Sequence, residues 1–169
     1  MKSWMVRLLV AIVAGLVAVD ARAESTLGLG AAYFRTVDSL DKPFEESGVA
    51  PVLSYRADLA DVVKLQLDGL LYPDHYAGSG KDVFSPQAFV LVGGDFYVGA
   101  GIGALISGSD VADSPMYIAR VGYTIRMFTG LHLALNANYE LSAWDGINEI
   151  DARKDSDTVT VGAALRLLL

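Results

Sequence analysis

The chain has 169 residues, 13 Lys plus Arg against 20 Asp plus Glu, no Cys, and 53% apolar residues. That length suits one domain. Without cysteine there is neither a disulfide framework nor a thiolate metal centre, and a net charge of −7 excludes the basic face of a nucleic-acid binder. A mean hydropathy of +0.38 would ordinarily suggest membrane helices, but the long apolar run over 8–19 has only 12 residues, against the ~20 that a spanning helix needs.

Lys2 and Arg7 precede that run and Ala21-Arg22-Ala23 follows it, the layout of a secretory signal peptide cleaved after Ala23. The expected organisation is a signal peptide over 1–23 and one exported domain over 24–169. That domain keeps 10 basic and 19 acidic residues, a net charge of −9.

From Ser25 onward apolar residues recur with period two rather than as a helical stripe, which predicts an all-β chain. The first strand, 26–35, sets Leu27, Leu29, Ala31 and Tyr33 against Gly28, Gly30, Ala32 and Phe34. The second, 49–59, sets Val49, Leu53, Tyr55 and Leu59 against Ser54, Arg56 and Asp58. After a turn at Ala60-Asp61, the third strand, 62–72, sets Val63, Leu65, Leu67 and Leu71 against Lys64, Gln66 and Asp68. The fourth, 85–92, shows no sidedness, since Gln87, Phe89 and Leu91 alternate with Ala88, Val90 and Val92.

A Gly93-Gly94-Asp95 turn leads to the fifth strand, 96–106, where Phe96, Val98, Ala100, Ile102 and Ala104 oppose Tyr97, Gly99, Gly101 and Gly103. The sixth, 116–126, sets Tyr117, Ala119, Val121, Tyr123 and Ile125 against Arg120, Thr124 and Arg126. In the seventh, 131–141, Leu131, Leu133, Leu135, Ala137, Tyr139 and Leu141 alternate with His132, Asn136, Asn138 and Glu140. The eighth, 158–169, sets Val159, Val161, Ala163, Leu165, Leu167 and Leu169 against Thr158, Thr160, Gly162 and Arg166.

The links after strands one, three, five and seven are long (36–48, 73–84, 107–113 and 143–157), and the others are tight turns. Hairpin-joined strands are antiparallel, so all long loops emerge at one end. Proline, which cannot donate to a ladder, agrees: Pro43, Pro51, Pro73, Pro86 and Pro115 fall in long loops or at the loop end of a strand.

An even number of antiparallel strands with short turns at one end and long loops at the other, after a signal peptide, matches an up-and-down transmembrane β-barrel. Closure follows because hydrocarbon offers nothing to the unpaired groups of a sheet edge. A soluble exported barrel would instead turn its apolar face inward. Two features favour the membrane. The polar face is poor in charge and rich in Gly, Ala, Thr and Asn, which suits a narrow interior. The apolar face sets Tyr33, Tyr117 and Tyr139 near the loop end and Phe96 and Tyr123 near the turn end, as two interfacial aromatic girdles would require.

This strand and loop layout, with the segment Gly94-Asp95-Phe96-Tyr97-Val98-Gly99-Ala100-Gly101-Ile102-Gly103, resembles the small eight-stranded outer membrane proteins of Gram-negative bacteria, the OmpA transmembrane domain and OmpX type, across the whole exported domain. The resemblance implies location in the cell outer membrane, contact with its lipids and lipopolysaccharide, and insertion by the barrel assembly machinery. Leu169 replaces the terminal aromatic residue usual in such proteins.

Eight strands leave a lumen that side chains fill, so Arg56, Lys64, Gln66, Asp68, Arg120, Arg126, Asn136, Asn138, Glu140 and Arg166 are expected to form a polar network. Charges there must be paired. The glycines Gly28, Gly30, Gly99, Gly101 and Gly103 would either leave a narrow path for ions or small solutes or make room for the long side chains. The expected role is structural or surface-interacting, with a narrow pore as the alternative and a lipid-modifying enzyme third. Catalysis would need a positioned nucleophile and base. His132, inward at a tight turn, and His75, in a loop beside Asp74 and Tyr76, form no such pair, and no catalytic residue or cofactor is expected. Asp38, Asp41, Glu45, Glu46, Asp145, Glu149, Asp151, Asp155 and Asp157 make the loop end acidic. Divalent cations could bridge them to lipopolysaccharide phosphates, although their spacing defines no metal site.

Overall fold

A computed structural model describes residues 24–37, 47–73, 76, 81–108, 110–112, 115–141 and 157–169. The signal-peptide region 1–23 lies outside them, as do His75 and every acidic loop residue named above except Asp157. The strands are β1 (Ser25–Thr36), β2 (Ser47–Ala60), β3 (Val63–Tyr72), β4 (Val83–Gly93), β5 (Phe96–Gly103), β6 (Ile106–Ser107), β7 (Asp110–Val111), β8 (Met116–Phe128), β9 (Leu131–Leu141) and β10 (Thr158–Leu168). Eight of them form the wall, in the order β3-β2-β1-β10-β9-β8-β5-β4, and the β3–β4 pairing closes it. Each wall pairing is antiparallel, from Thr26↔Leu168 between β1 and β10 to Tyr72↔Val83 between β3 and β4.

The two faces separate as alternation dictates. Leu29, Leu53, Val90, Val98, Leu135, Val161 and Leu165 are exposed on the outside, whereas Arg56, Gln66, Asp68, Arg120, Asn138, Glu140 and Arg166 are buried inside. An inverted, soluble barrel would show the reverse. The outer face also carries Tyr33, Tyr117 and Tyr139 toward the loop end, and Phe96 directly across from Tyr123 at the turn end. Phe84 and Phe128 add to this outer aromatic set. Neither was legible: Phe84 belongs to the strand without sidedness, and Phe128 has inward parity but is turned outward by the register shift between Arg126 and Phe128.

Two strands differ from their sequence reading. β4 is sided after all: Val83, Ser85, Gln87, Phe89 and Leu91 are buried, while Phe84, Val90 and Val92 are exposed. The ambiguity arose because the inner face mixes Ser85 and Gln87 with apolar Val83, Phe89 and Leu91, so its composition does not stand out from the outer one. The predicted fifth strand is interrupted. β5 ends at Gly103 and resumes as β6 in the same register against β4, from Gln87↔Gly103 to Phe84↔Ile106. Pro86 sits opposite the break, and its carbonyl accepts from the Ala104 N–H at 3.1 Å. A residue in an antiparallel ladder turns its N–H and C=O to the same neighbour, so the donor that Pro86 lacks is missing on the side where β5 would have continued. β6 then pairs with β7 as a short hairpin around Gly108.

Because Leu135 lies mid-strand on the outer face, paired with Ala163 and Tyr123, the variant Leu135→Arg places a cation at membrane depth. We expect it to lose about 2–4 kcal/mol of stability, read as a lower urea midpoint for refolding into lipid vesicles. An unchanged midpoint would put this face in water.

Candidate functional site

The interior divides into three levels. At the loop end, Phe34 of β1, Tyr72 at the end of β3 and Tyr76 just beyond it are fully buried. The two tyrosine rings stack 4.0 Å apart, with Phe34 edge-on to both at 5.2 and 4.7 Å. Ala50, Leu70, Val83, Leu105 and Ala112 surround them, making an apolar plug. Tyr76, outside the strands, is held well above the usual phenol range by burial and by nearby Glu140, so its hydroxyl stays neutral. Tyr72 follows Lys64, Gln66 and Asp68 in parity and was legible as inward. Tyr76 is a loop residue without periodicity and left no signal.

The middle level is a chain of polar side chains crossing the lumen. Arg56 Nε donates to Gln66 Oε1 at 2.8 Å, and Gln66 Nε2 donates to Asp68 Oδ1 at 2.7 Å. Arg120 Nη1 reaches Asp68 Oδ2 at 2.7 Å, with both side chains only 2% exposed. Arg120 Nε donates to Asn138 Oδ1 at 2.7 Å, and Asn138 Nδ2 to Thr160 Oγ1 at 2.7 Å. The Thr160 hydroxyl then donates to Glu140 Oε1, and the Tyr72 hydroxyl to Glu140 Oε2, both at 3.2 Å. Thus Glu140 joins the polar chain to the aromatic plug. The guanidinium of Arg120 also lies 3.5 Å from the centre of the Phe89 ring and that of Arg56 4.5 Å from the centre of Tyr97, where the ring faces attract cations.

The glycines make room for these side chains. A Cβ at Gly28 would stand 2.5 Å from Ser54 Oγ and 3.1 Å from Arg166 Cγ, so only a bare backbone lets Arg166 cross β1 and donate to Ser54 Oγ at 3.2 Å. The space beside Gly101 is taken by Phe89 and that beside Gly103 by Met116 and Gln87. Asn136 borders a central void of about 10 Å³ between Asp68, Arg120 and Asn138, roughly the room for one water.

At the turn end the lumen opens into a vestibule of about 570 Å³, with His132 on its wall. Lys64 binds Asp58 there at 2.8 Å. Arg126 does not reach the buried chain: it is exposed at the mouth, 3.4 Å from Asp95. Its strand overruns the lumen, since β8 continues to Phe128, so inward parity there points at water. The residues that join the interior without having been singled out are Ser54, Thr124 and Thr160, whose hydroxyls accept from arginine or asparagine, and the rings of Phe89 and Tyr97. Inward parity was the only signal for all but Phe89, whose strand showed no sidedness.

No protein-family model and no curated protein sequence matches the chain. Among solved structures it is similar to Neisserial surface protein A, with 16% identity, a TM-score of 0.63, and coverage of 86% of this chain and 97% of that one. It also aligns with the outer membrane protein OprG from Pseudomonas aeruginosa at 12% identity and a TM-score of 0.49, over 86% and 93% of the two chains. The chain therefore has the fold of the small eight-stranded β-barrels of the bacterial outer membrane.

Proposed function

We propose that this protein is a structural, non-enzymatic scaffold of the outer membrane, a plugged barrel that presents its acidic loops at the cell surface. The carrying observation is the blocked lumen. The Phe34–Tyr72–Tyr76 cluster occupies the loop end, and the chain from Arg56 through Arg120 to Glu140 crosses the middle. These two obstructions lie in series, so opening either alone gives no continuous path. With membrane-spanning strands fixed in lipid and the lumen blocked at its loop end and middle, the parts left to meet partners at the cell surface are the loops, as expected of binding elements on a rigid scaffold. The sequence makes these loops acidic, and divalent cations bridging carboxylates to lipopolysaccharide phosphates would tie them to the surrounding lipid.

Planar-bilayer recording tests this reading. The folded protein is expected to give no steady single-channel steps. Steps that disappear in Arg120→Ala or Glu140→Gln would replace the scaffold with a narrow pore.

A further inference from the structure

Among the described residues, three polar atoms beside the vestibule have no hydrogen-bond partner: Arg56 Nη2, Arg166 Nε and Thr26 Oγ1. All three residues line that one cavity. They sit on adjoining strands, with Arg56 of β2 opposite Thr26 of β1, and Arg166 of β10 opposite Gly28, two residues on. Arg56 is 5% and Arg166 1% exposed. Among the described residues neither arginine forms an ion pair with a carboxylate: Arg56 holds Gln66 and Thr124, and Arg166 holds Ser54. Of the other basic side chains lining the cavity, Lys64 and Arg126 are matched by Asp58 and Asp95, and His132 stands across from Arg166 on the neighbouring strand. Glu24 and Asp61 stand exposed at the outer rim.

A guanidinium does not lose its charge in a protein, and a buried donor without an acceptor is costly. Two of each, beside a hydroxyl and under one open cavity, form an arrangement that an acceptor-rich anion completes. We propose that the vestibule at the turn end is a binding site for a small oxyanion, a phosphate or carboxylate group, held by Arg56 and Arg166 with the Thr26 hydroxyl. Planar guanidiniums suit the paired oxygens of such groups. The unpartnered nitrogens are shielded from solvent, so binding turns the two guanidiniums toward the cavity, and water is the competing occupant. Since tight turns face the periplasm in outer membrane barrels, the ligand comes from that side rather than from the cell surface.

The test uses the full folded chain in a phosphate-free glycoside detergent, titrated with inorganic phosphate and with acetate by calorimetry. Saturable binding at one site is expected, weakened about tenfold or more by Arg56→Gln or Arg166→Gln, given the strength of charge-assisted hydrogen bonds. Arg126→Gln, at the exposed mouth, should leave it nearly unchanged. Acetate competing as strongly as phosphate assigns the site to carboxylates, and failure to compete assigns it to phosphates. Absence of saturable binding of either anion would overturn the proposal in favour of water, as would binding that both arginine variants retain or that Arg126→Gln abolishes. Should the arginine variants not fold, Thr26→Val carries the test, and undiminished affinity there is equally fatal.

Discussion

Asp68→Ala is expected to cost about 3–5 kcal/mol of stability, because it leaves the Arg120 guanidinium buried without its carboxylate. The ion pair is 2.7 Å long and both side chains are 2% exposed, so bulk solvent does not reach the stranded charge. Gln66 Nε2 loses its acceptor in the same step. The measurement is a urea titration of the barrel in lipid vesicles, with the folded fraction read from heat-modifiable gel mobility. Arg120→Ala should cost a similar amount by stranding Asp68 and Asn138. The double replacement Asp68→Leu with Arg120→Met should recover much of the loss, since removing both charges avoids the desolvation that a single change exposes. Additive losses in the double variant would mean that the two residues do not act as a pair.

Phe34→Ala is expected to cost about 3–5 kcal/mol as well, from lost burial and the cavity left behind. The ring is fully buried and touches both tyrosines edge-on, so its removal leaves the Tyr72–Tyr76 stack unsupported on one side. Tyr72→Phe separates packing from polarity at this level. It keeps the stack and removes the hydroxyl that donates to Glu140, for an expected loss of about 1–3 kcal/mol, the range for leaving a buried polar partner unsatisfied. The same urea titration reads both. A Phe34→Ala loss no greater than that of Tyr72→Phe would show that the loop end is held by its polar contacts and not by aromatic packing.

Both predictions concern residues whose inward direction can be read from the chain, yet whose partners cannot. Strand β9 illustrates the division. His132, Asn136, Asn138 and Glu140 alternate with leucines and Tyr139, and period two alone sends them to the lumen. That Asn138 accepts from Arg120 and donates to Thr160 follows from the registers β8–β9 and β9–β10, since Arg120↔Asn138 and Thr160↔Asn138 are direct cross-strand partners. Hairpin arithmetic constrains the first of these pairings, but the second spans a loop of more than a dozen residues.

Arg126 and β4 show where parity misleads. Parity records a face, not a depth. Arg126 has the inward face but lies beyond the end of the lumen, and β4 shows no sidedness because apolar Phe89 and Leu91 pack inside beside Ser85 and Gln87. The interruption of β5 has a similar origin: Pro86 lies on another strand, and its effect on Ala104 appears only once the two are paired.

The sequence by itself determined the eight-strand layout, the outward apolar band, the inward polar set and the end at which the long loops lie, because a strand's side chains alternate strictly and hairpins reverse direction. Tertiary structure decided that Asp68 of β3 meets Arg120 of β8, 52 residues away, that Tyr76 stacks on Tyr72, and that Arg56 and Arg166 form no ion pair with a carboxylate among the described residues. Tyr76 belongs to a loop without periodicity; the other two outcomes arise across a closed cylinder, between strands that are not neighbours. They depend on the stagger and tilt of the whole wall, which no single strand encodes.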